Sequence, residues 1–104
     1  MRTAIILISG IQTGRLEEIE FNRKYRFVYN EDYSGPPVSL SMPLSSREYV
    51  YDRFPPFFDG LLPEGAMLEG LLRQRKVDAK DYFSQLIAVG GEMVGTVTVL
   101  EEKG

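Results

Sequence analysis

Hydrophobic positions fall along this chain in two rhythms, with a period near two in the first half and near 3.6 in much of the second. The run Ala4-Ile5-Ile6-Leu7-Ile8 is apolar without alternation and rich in β-branched residues. It predicts a strand that lies centrally in a sheet or is covered on both faces. Ser9 to Gly14 supplies a turn, and Arg15 to Phe21 returns with mixed polarity, Glu17, Glu18 and Glu20 reading as a solvated strand edge. After the polar connection Asn22-Arg23-Lys24, the segment Tyr25-Arg26-Phe27-Val28-Tyr29 alternates, placing Tyr25, Phe27 and Tyr29 on one face. Three strands joined by short turns predict an antiparallel meander. Asn30 to Pro37 is a loop by composition. Val38-Ser39-Leu40-Ser41-Met42 then alternates again, predicting a strand with Val38, Leu40 and Met42 inward, ended by Pro43. Leu44 to Arg53 fits an edge strand around Glu48-Tyr49-Val50-Tyr51 and a mobile loop equally.

Past Arg53 the period changes. Leu68, Leu71 and Leu72 form a stripe at helical spacing, with Pro63 suited to a first turn and Glu64 to the positive end of the helix dipole. The pattern predicts a helix from about Pro63 to Arg75, closed by the basic residues Arg73, Arg75 and Lys76. Gly70 inside it signals either close packing or indifference. A second helix follows, with Asp78 as candidate N-cap, Tyr82, Phe83, Leu86 and Ile87 as the apolar face, and Gly90 as its stop. Thr96-Val97-Thr98-Val99 alternates as a closing strand with Val97 and Val99 inward. Strands, then two helices, then a strand predict an α+β domain: a mostly antiparallel sheet with two short helices packed on one face. No repeat or linker divides residues 1–104, which read as one domain.

Between the two rhythms lies Phe54-Pro55-Pro56-Phe57-Phe58-Asp59-Gly60-Leu61-Leu62-Pro63-Glu64-Gly65. Its three prolines and two glycines forbid a long helix or a central strand, so the backbone turns while staying apolar. Such a segment is costly to leave in water, and it reads as a buried joint under the domain or as a docking surface for a second protein.

Composition narrows the chemistry. With 43% hydrophobic and 26% charged residues, the 104-residue chain is of globular rather than disordered type. Its net charge of −3 gives no electrostatic basis for gripping a phosphate backbone, so no direct nucleic-acid contact is expected. It has no cysteine and no histidine. That excludes Ser/His/Asp and Cys/His catalysis, disulfides and the common zinc ligands. No pair of acids stands in a catalytic motif; Asp78 and Asp81 read as helix-start residues. Neither GxxxxGKS/T nor GxGxxG occurs, and Gly90-Gly91 with Gly95 reads as a turn. The expectation is a protein that is not an enzyme and uses neither cofactor nor metal. The apolar run at residues 4–8 is too short for a signal-peptide core or a membrane span, so a cytoplasmic protein without membrane association is expected.

Three stretches carry a family resemblance. Pro37-Val38-Ser39-Leu40-Ser41-Met42-Pro43-Leu44, then Pro56-Phe57-Phe58-Asp59-Gly60-Leu61-Leu62-Pro63-Glu64-Gly65, then Gly91-Glu92-Met93-Val94-Gly95-Thr96-Val97 stand in this order. They resemble the PLSLSLPL, FFDNLLPEG and GxDxxGAV patterns of the N-terminal subdomain of HipA-type serine/threonine kinase toxins. Gly60 stands for the usual Asn, Glu92 for the usual Asp and Thr96 for the usual Ala. No kinase catalytic loop or metal-binding acid in kinase context is present in the 104 residues, so the family's chemistry is not carried onto them.

A free-standing subdomain of this kind resembles the HipS antitoxins of three-gene HipBST systems. The resemblance implies a bacterial cytoplasmic protein that binds and neutralises a HipT-like kinase, beside a HipB-like DNA-binding protein in the same complex. The rival it leaves open is a split N-terminal structural subdomain that supports a HipA-like kinase. An unrelated enzyme of similar size is disfavoured by the missing histidine and cysteine. The residues expected nearest the kinase are Phe57, Leu61, Leu62, Pro63, Glu64, Ala66 and Met67, since a proline-constrained apolar segment leading into a helix presents a preorganised surface. Each also has a purely structural reading: Phe57, Leu61 and Leu62 as core, Pro63 as helix starter, Glu64 as a dipole-facing acid.

Overall fold

The computed structural model describes residues 1–91 and 96–102. The first half forms β1 (Arg2–Ile8), β2 (Ile11–Glu20), β3 (Lys24–Tyr29) and β4 (Glu48–Tyr51). The second half forms α1 (Pro56–Asp59), α2 (Gly65–Arg75), α3 (Tyr82–Gly90) and β5 (Val97–Glu101). The strands make one five-stranded sheet in the order β4-β3-β2-β1-β5, every neighbouring pair antiparallel. The predicted meander is β1-β2-β3, and β5 returns from the helices to pair with β1.

Register explains which face is the core. Ala4 stands opposite Leu16 and Leu16 opposite Phe27, while Ile6 stands opposite Val99. All are buried, together with Tyr25 and Tyr29 of the same β3 face and with Phe58, Phe83 and Leu86 from the helices. Helices therefore cover one face, as an antiparallel sheet allows. On the other face Ile5 and Val28 are half-buried, and Val50 and Leu100 are exposed.

The acids Glu17 and Glu18 are not a solvated edge. They lie in β2, the middle strand, and both are buried. Each has an arginine across the ladder. Arg26 Nε donates to Glu17 Oε1 at 2.6 Å, and Arg2 Nε donates to Glu18 Oε1 at 2.6 Å with Nη2 to Oε2 at 2.8 Å. A bidentate arginine fork offsets much of the desolvation of a carboxylate, which is how acids occupy a central strand.

The predicted strand at residues 38–42 is absent. Val38 and Met42 do point inward, but Leu40 is 96% exposed. Tyr29 is the reason. Its phenol donates to the Met42 carbonyl at 2.6 Å and accepts the Val38 N–H at 2.9 Å, so one side chain holds both ends of the segment. Between them the Met42 N–H donates to the Ser39 carbonyl at 3.0 Å, a reverse turn that throws Leu40 outward. The neighbouring ambiguous stretch resolves as the edge strand β4.

Two helix starts also move. Glu64 is extended (φ −130°, ψ 164°) and Gly65 has φ +61°, so helical backbone cannot run through from Pro63, and α2 begins at Gly65. Asp81, not Asp78, caps α3: its carboxylate accepts the Ser84 N–H at 3.2 Å and the Ser84 hydroxyl at 2.7 Å. Asp78 accepts the Lys80 N–H at 2.7 Å in the loop before it. Asp81 also receives Arg2 Nη2 at 2.9 Å, so the cap is tied to the sheet. Burial alone would raise the Asp81 pKa; the hydrogen bonds from Arg2 and Ser84 outweigh it and hold the carboxyl below the ordinary aspartate range.

The helices differ in depth. Phe83 and Leu86 of α3 are buried against the sheet, whereas α2 packs on α3 and contributes no buried residue. Phe83→Ala should therefore cost about 3–5 kcal/mol of unfolding free energy. Leu71→Ala, removing a half-buried side chain, should cost about 1 kcal/mol, a fraction of the transfer value of a fully buried leucine. Denaturant melts of the two variants check the order; equal losses would show that α2 is as deeply seated as α3.

Candidate docking surface at the start of helix α2

The apolar stretch between β4 and α2 divides into an inner and an outer half. Pro55 and Pro56 start α1, whose single turn is closed by the Asp59 N–H on the Pro55 carbonyl (2.9 Å) and the Gly60 N–H on the Pro56 carbonyl (3.0 Å). Proline in the first turn loses nothing there, because that N–H has no helical partner anyway. The turn drives Phe58 fully into the core, its ring 5.9 Å from Phe27 and 5.2 Å from Phe57. Phe54, just before, is buried with its ring edge-on to Tyr25 at 5.3 Å.

Two further turn bonds, Leu61 N–H to the Phe58 carbonyl and Leu62 N–H to the Asp59 carbonyl, both 3.1 Å, carry the chain outward. The seven residues expected at a partner surface separate along this path. Phe57, Leu61 and Leu62 are half-buried and lean on the core. Pro63 is half-buried at the rim, and Glu64, Ala66 and Met67 are exposed. Glu64 makes no side-chain cap, leaving the first N–H groups of α2 without side-chain acceptors from it.

Met67 is 76% exposed on the first turn of α2. It borders a groove of about 360 Å³ lined by Pro63, Met67, Gly70, Leu71, Gln74 and Val89. The spacing 67, 70, 71, 74 is one helical face, so this groove runs along α2 against the end of α3. Sequence reasoning named Pro63 and Met67 but missed Gly70, Leu71, Gln74 and Val89. The heptad-like interval was present in the sequence; what it lacked was the knowledge that α2 rests on α3 and not on the sheet.

The six residues that line the groove include no acid, base or thiol, and among the described residues no group of three or more acids is placed to hold a metal. Among them too, no helix is long and apolar enough to cross a membrane. Of the three stretches of resemblance, the first two lie at the Tyr29-anchored loop and at this surface; Glu92 to Gly95 of the third, and the turn read at Gly95, lie outside the described residues.

The family model for the HipA N-terminal domain matches residues 4–100. The chain belongs to the HipA N-terminal domain family. A solved structure described as the N-terminal domain of HipA toxin superposes with a TM-score of 0.78 at 30% identity, covering 99% of this chain and 94% of that one. An uncharacterized protein of Haemophilus influenzae (strain Rd) is 34% identical over 103 residues, 99% of this chain and 95% of the relative. The HipA N-terminal domain fold accounts for the five-stranded antiparallel sheet with helices on one face, as the order of strands and helices in the sequence implies.

Within this HipA-type domain the inner and outer halves of the stretch should respond oppositely to mutation. Met67→Asp should change the unfolding free energy by only a few tenths of a kcal/mol, as at other exposed helical positions. Phe58→Ala should cost about 3–5 kcal/mol. Thermal melts of the isolated variants decide; a Met67→Asp protein that unfolds places Met67 in the core.

Proposed function

We propose that this domain is an antitoxin that docks on a HipT-like serine/threonine kinase and neutralises it, through the surface formed by Phe57, Leu61, Leu62, Pro63, Glu64, Ala66 and Met67. The observation that carries the reading is a member of the HipA N-terminal domain family whose second helix buries no residue in its own core and leaves Met67 in water at the edge of an apolar groove. A flexible thioether at such a place suits an adaptable protein contact. The backbone beneath it is fixed by α1 and its prolines, so docking there carries a small ordering cost. The Haemophilus relative, spanned over 95% of its length, supports a free-standing domain as a form in which this family works.

In this reading the domain is cytoplasmic and not an enzyme, and it uses no cofactor or metal. A HipB-like protein in the same complex supplies the DNA contact that a net charge of −3 disfavours here. A second reading, favoured by the likeness to the N-terminal domain of HipA toxin, is a split structural subdomain that supports a HipA-like kinase.

Co-expression with the HipT-like kinase separates the two. The antitoxin reading expects a complex with Kd at micromolar or below, and growth restored to cells carrying the kinase. Met67→Asp should weaken the complex by about a hundredfold, because a charge stripped of water against an apolar surface is heavily penalised, and toxicity should return. Absence of a complex overturns both readings; a complex that raises kinase activity favours the supporting subdomain.

A further inference from the structure

Among the described residues nothing requires Gly70 to be glycine. It sits in the middle of an eleven-residue helix, where glycine is the poorest choice after proline. Its backbone does not require positive φ, and among the described residues a Cβ built on it would meet nothing within 4 Å. Gly14 and Gly90 are different. A Cβ at Gly14 would come within 2.4 Å of the Val28 carbonyl oxygen, and one at Gly90 within 2.3 Å of that of Val99, so internal packing demands both. Gly70 instead lines the groove together with Pro63, Met67, Leu71, Gln74 and Val89.

We infer that this groove receives a single large apolar side chain projected by the kinase, with Gly70 left bare to make room for it. The inference rests on the kinase-docking reading and deepens it by giving the direction of insertion: partner into domain. The lining selects the occupant. Pro63, Met67, Leu71 and Val89 are apolar, Gln74 is the single polar side chain, and none of these six residues is charged, so an anionic ligand has nothing to pair with. The volume of about 360 Å³ is at the small end of pockets that enclose a ligand, fitting a side chain better than a whole helix. The groove is also continuous with the proposed contact, since Pro63 and the exposed Met67 belong to both. Met67 at the rim can fold over an inserted group, as an unbranched thioether does.

The test uses Gly70→Ala and Gly70→Leu in the full chain with the HipT-like kinase, measuring melting temperature and affinity together. In the free protein Gly70→Ala should raise the melting temperature by about 4–8 °C, the gain from replacing a helical glycine where the methyl meets no neighbour. Against the kinase, Gly70→Leu should raise Kd by about tenfold or more, because the filled groove forces overpacking, and Gly70→Ala should do so to a lesser degree. A more stable domain that binds worse is the expected signature. If wild type binds and Gly70→Leu binds equally well, the insertion is overturned while the docking reading stands. If wild type itself does not bind the kinase, the docking reading falls and takes the insertion with it. If the free protein sediments as a dimer that Gly70→Leu dissociates, a second copy fills the groove and the inference is overturned.

Discussion

Arg2 is the point where sheet and helices are held in register. Its guanidinium pairs with Glu18 of the middle strand, donates to Ser84 Oγ at 2.7 Å, and reaches Asp81, the cap of α3. The Phe21 and Phe83 rings lie 5.0 and 4.9 Å from it, a cation between two aromatic faces. The hydrogen bonds to Glu18 hold Arg2 charged well above the ordinary arginine value, against the opposing effect of burial, and Asp81 adds to them. Tyr25, opposite Glu18 on β3, is pushed up to about 12 by burial first and by that carboxylate second, so it stays a neutral phenol in the core. A partly buried network of this kind contributes little to stability relative to apolar packing, but breaking one member leaves charges without partners. Its structural effect is to fix where α3 sits.

The position of α2 follows from that placement. α3 is seated on β5 and the sheet, α2 rests on α3, and the groove lies between them. The buried amide of Gln85 secures the connection, donating to the Asp78 and Ala79 carbonyls at 3.2 and 3.0 Å. At the other end of the domain Tyr29 does for a loop what Arg2 does for a helix, clasping residues 38 and 42. The core is thus pinned by a few polar side chains between aromatic layers, and α2 is a helix that buries none of its own residues.

Local periodicity made most of the sheet and both longer helices legible. Tyr25, Phe27 and Tyr29 share a buried face because alternation is a backbone property that needs no tertiary knowledge. The failures occurred where a distant side chain overrode the local pattern. Val38-Ser39-Leu40-Ser41-Met42 alternates like a strand, but Tyr29 bends it into a turn. Glu17 and Glu18 have the composition of a solvent edge, but arginines from β1 and β3 draw them into the sheet. Asp78 and Asp81 are equivalent as candidate caps until Arg2 selects one. At the candidate site, the apolar stretch and Met67 could be found from composition, and the division into core-leaning Phe57, Leu61 and Leu62 and exposed Glu64, Ala66 and Met67 could not. That division depends on how far one turn of helix carries the chain, which only the packing of Phe58 determines.

In the proposed reading, the sheet and α3 hold α2 and the turn before it in place as the surface for a kinase. Backbone hydrogen exchange of this protein, free and in complex with the HipT-like kinase, tests it most directly. New protection is expected across residues 61–74 on complex formation, with exchange in β1, β2 and β3 unchanged. New protection confined to β4, β5 or the uncovered face of the sheet, with residues 61–74 exchanging as in the free protein, would contradict it.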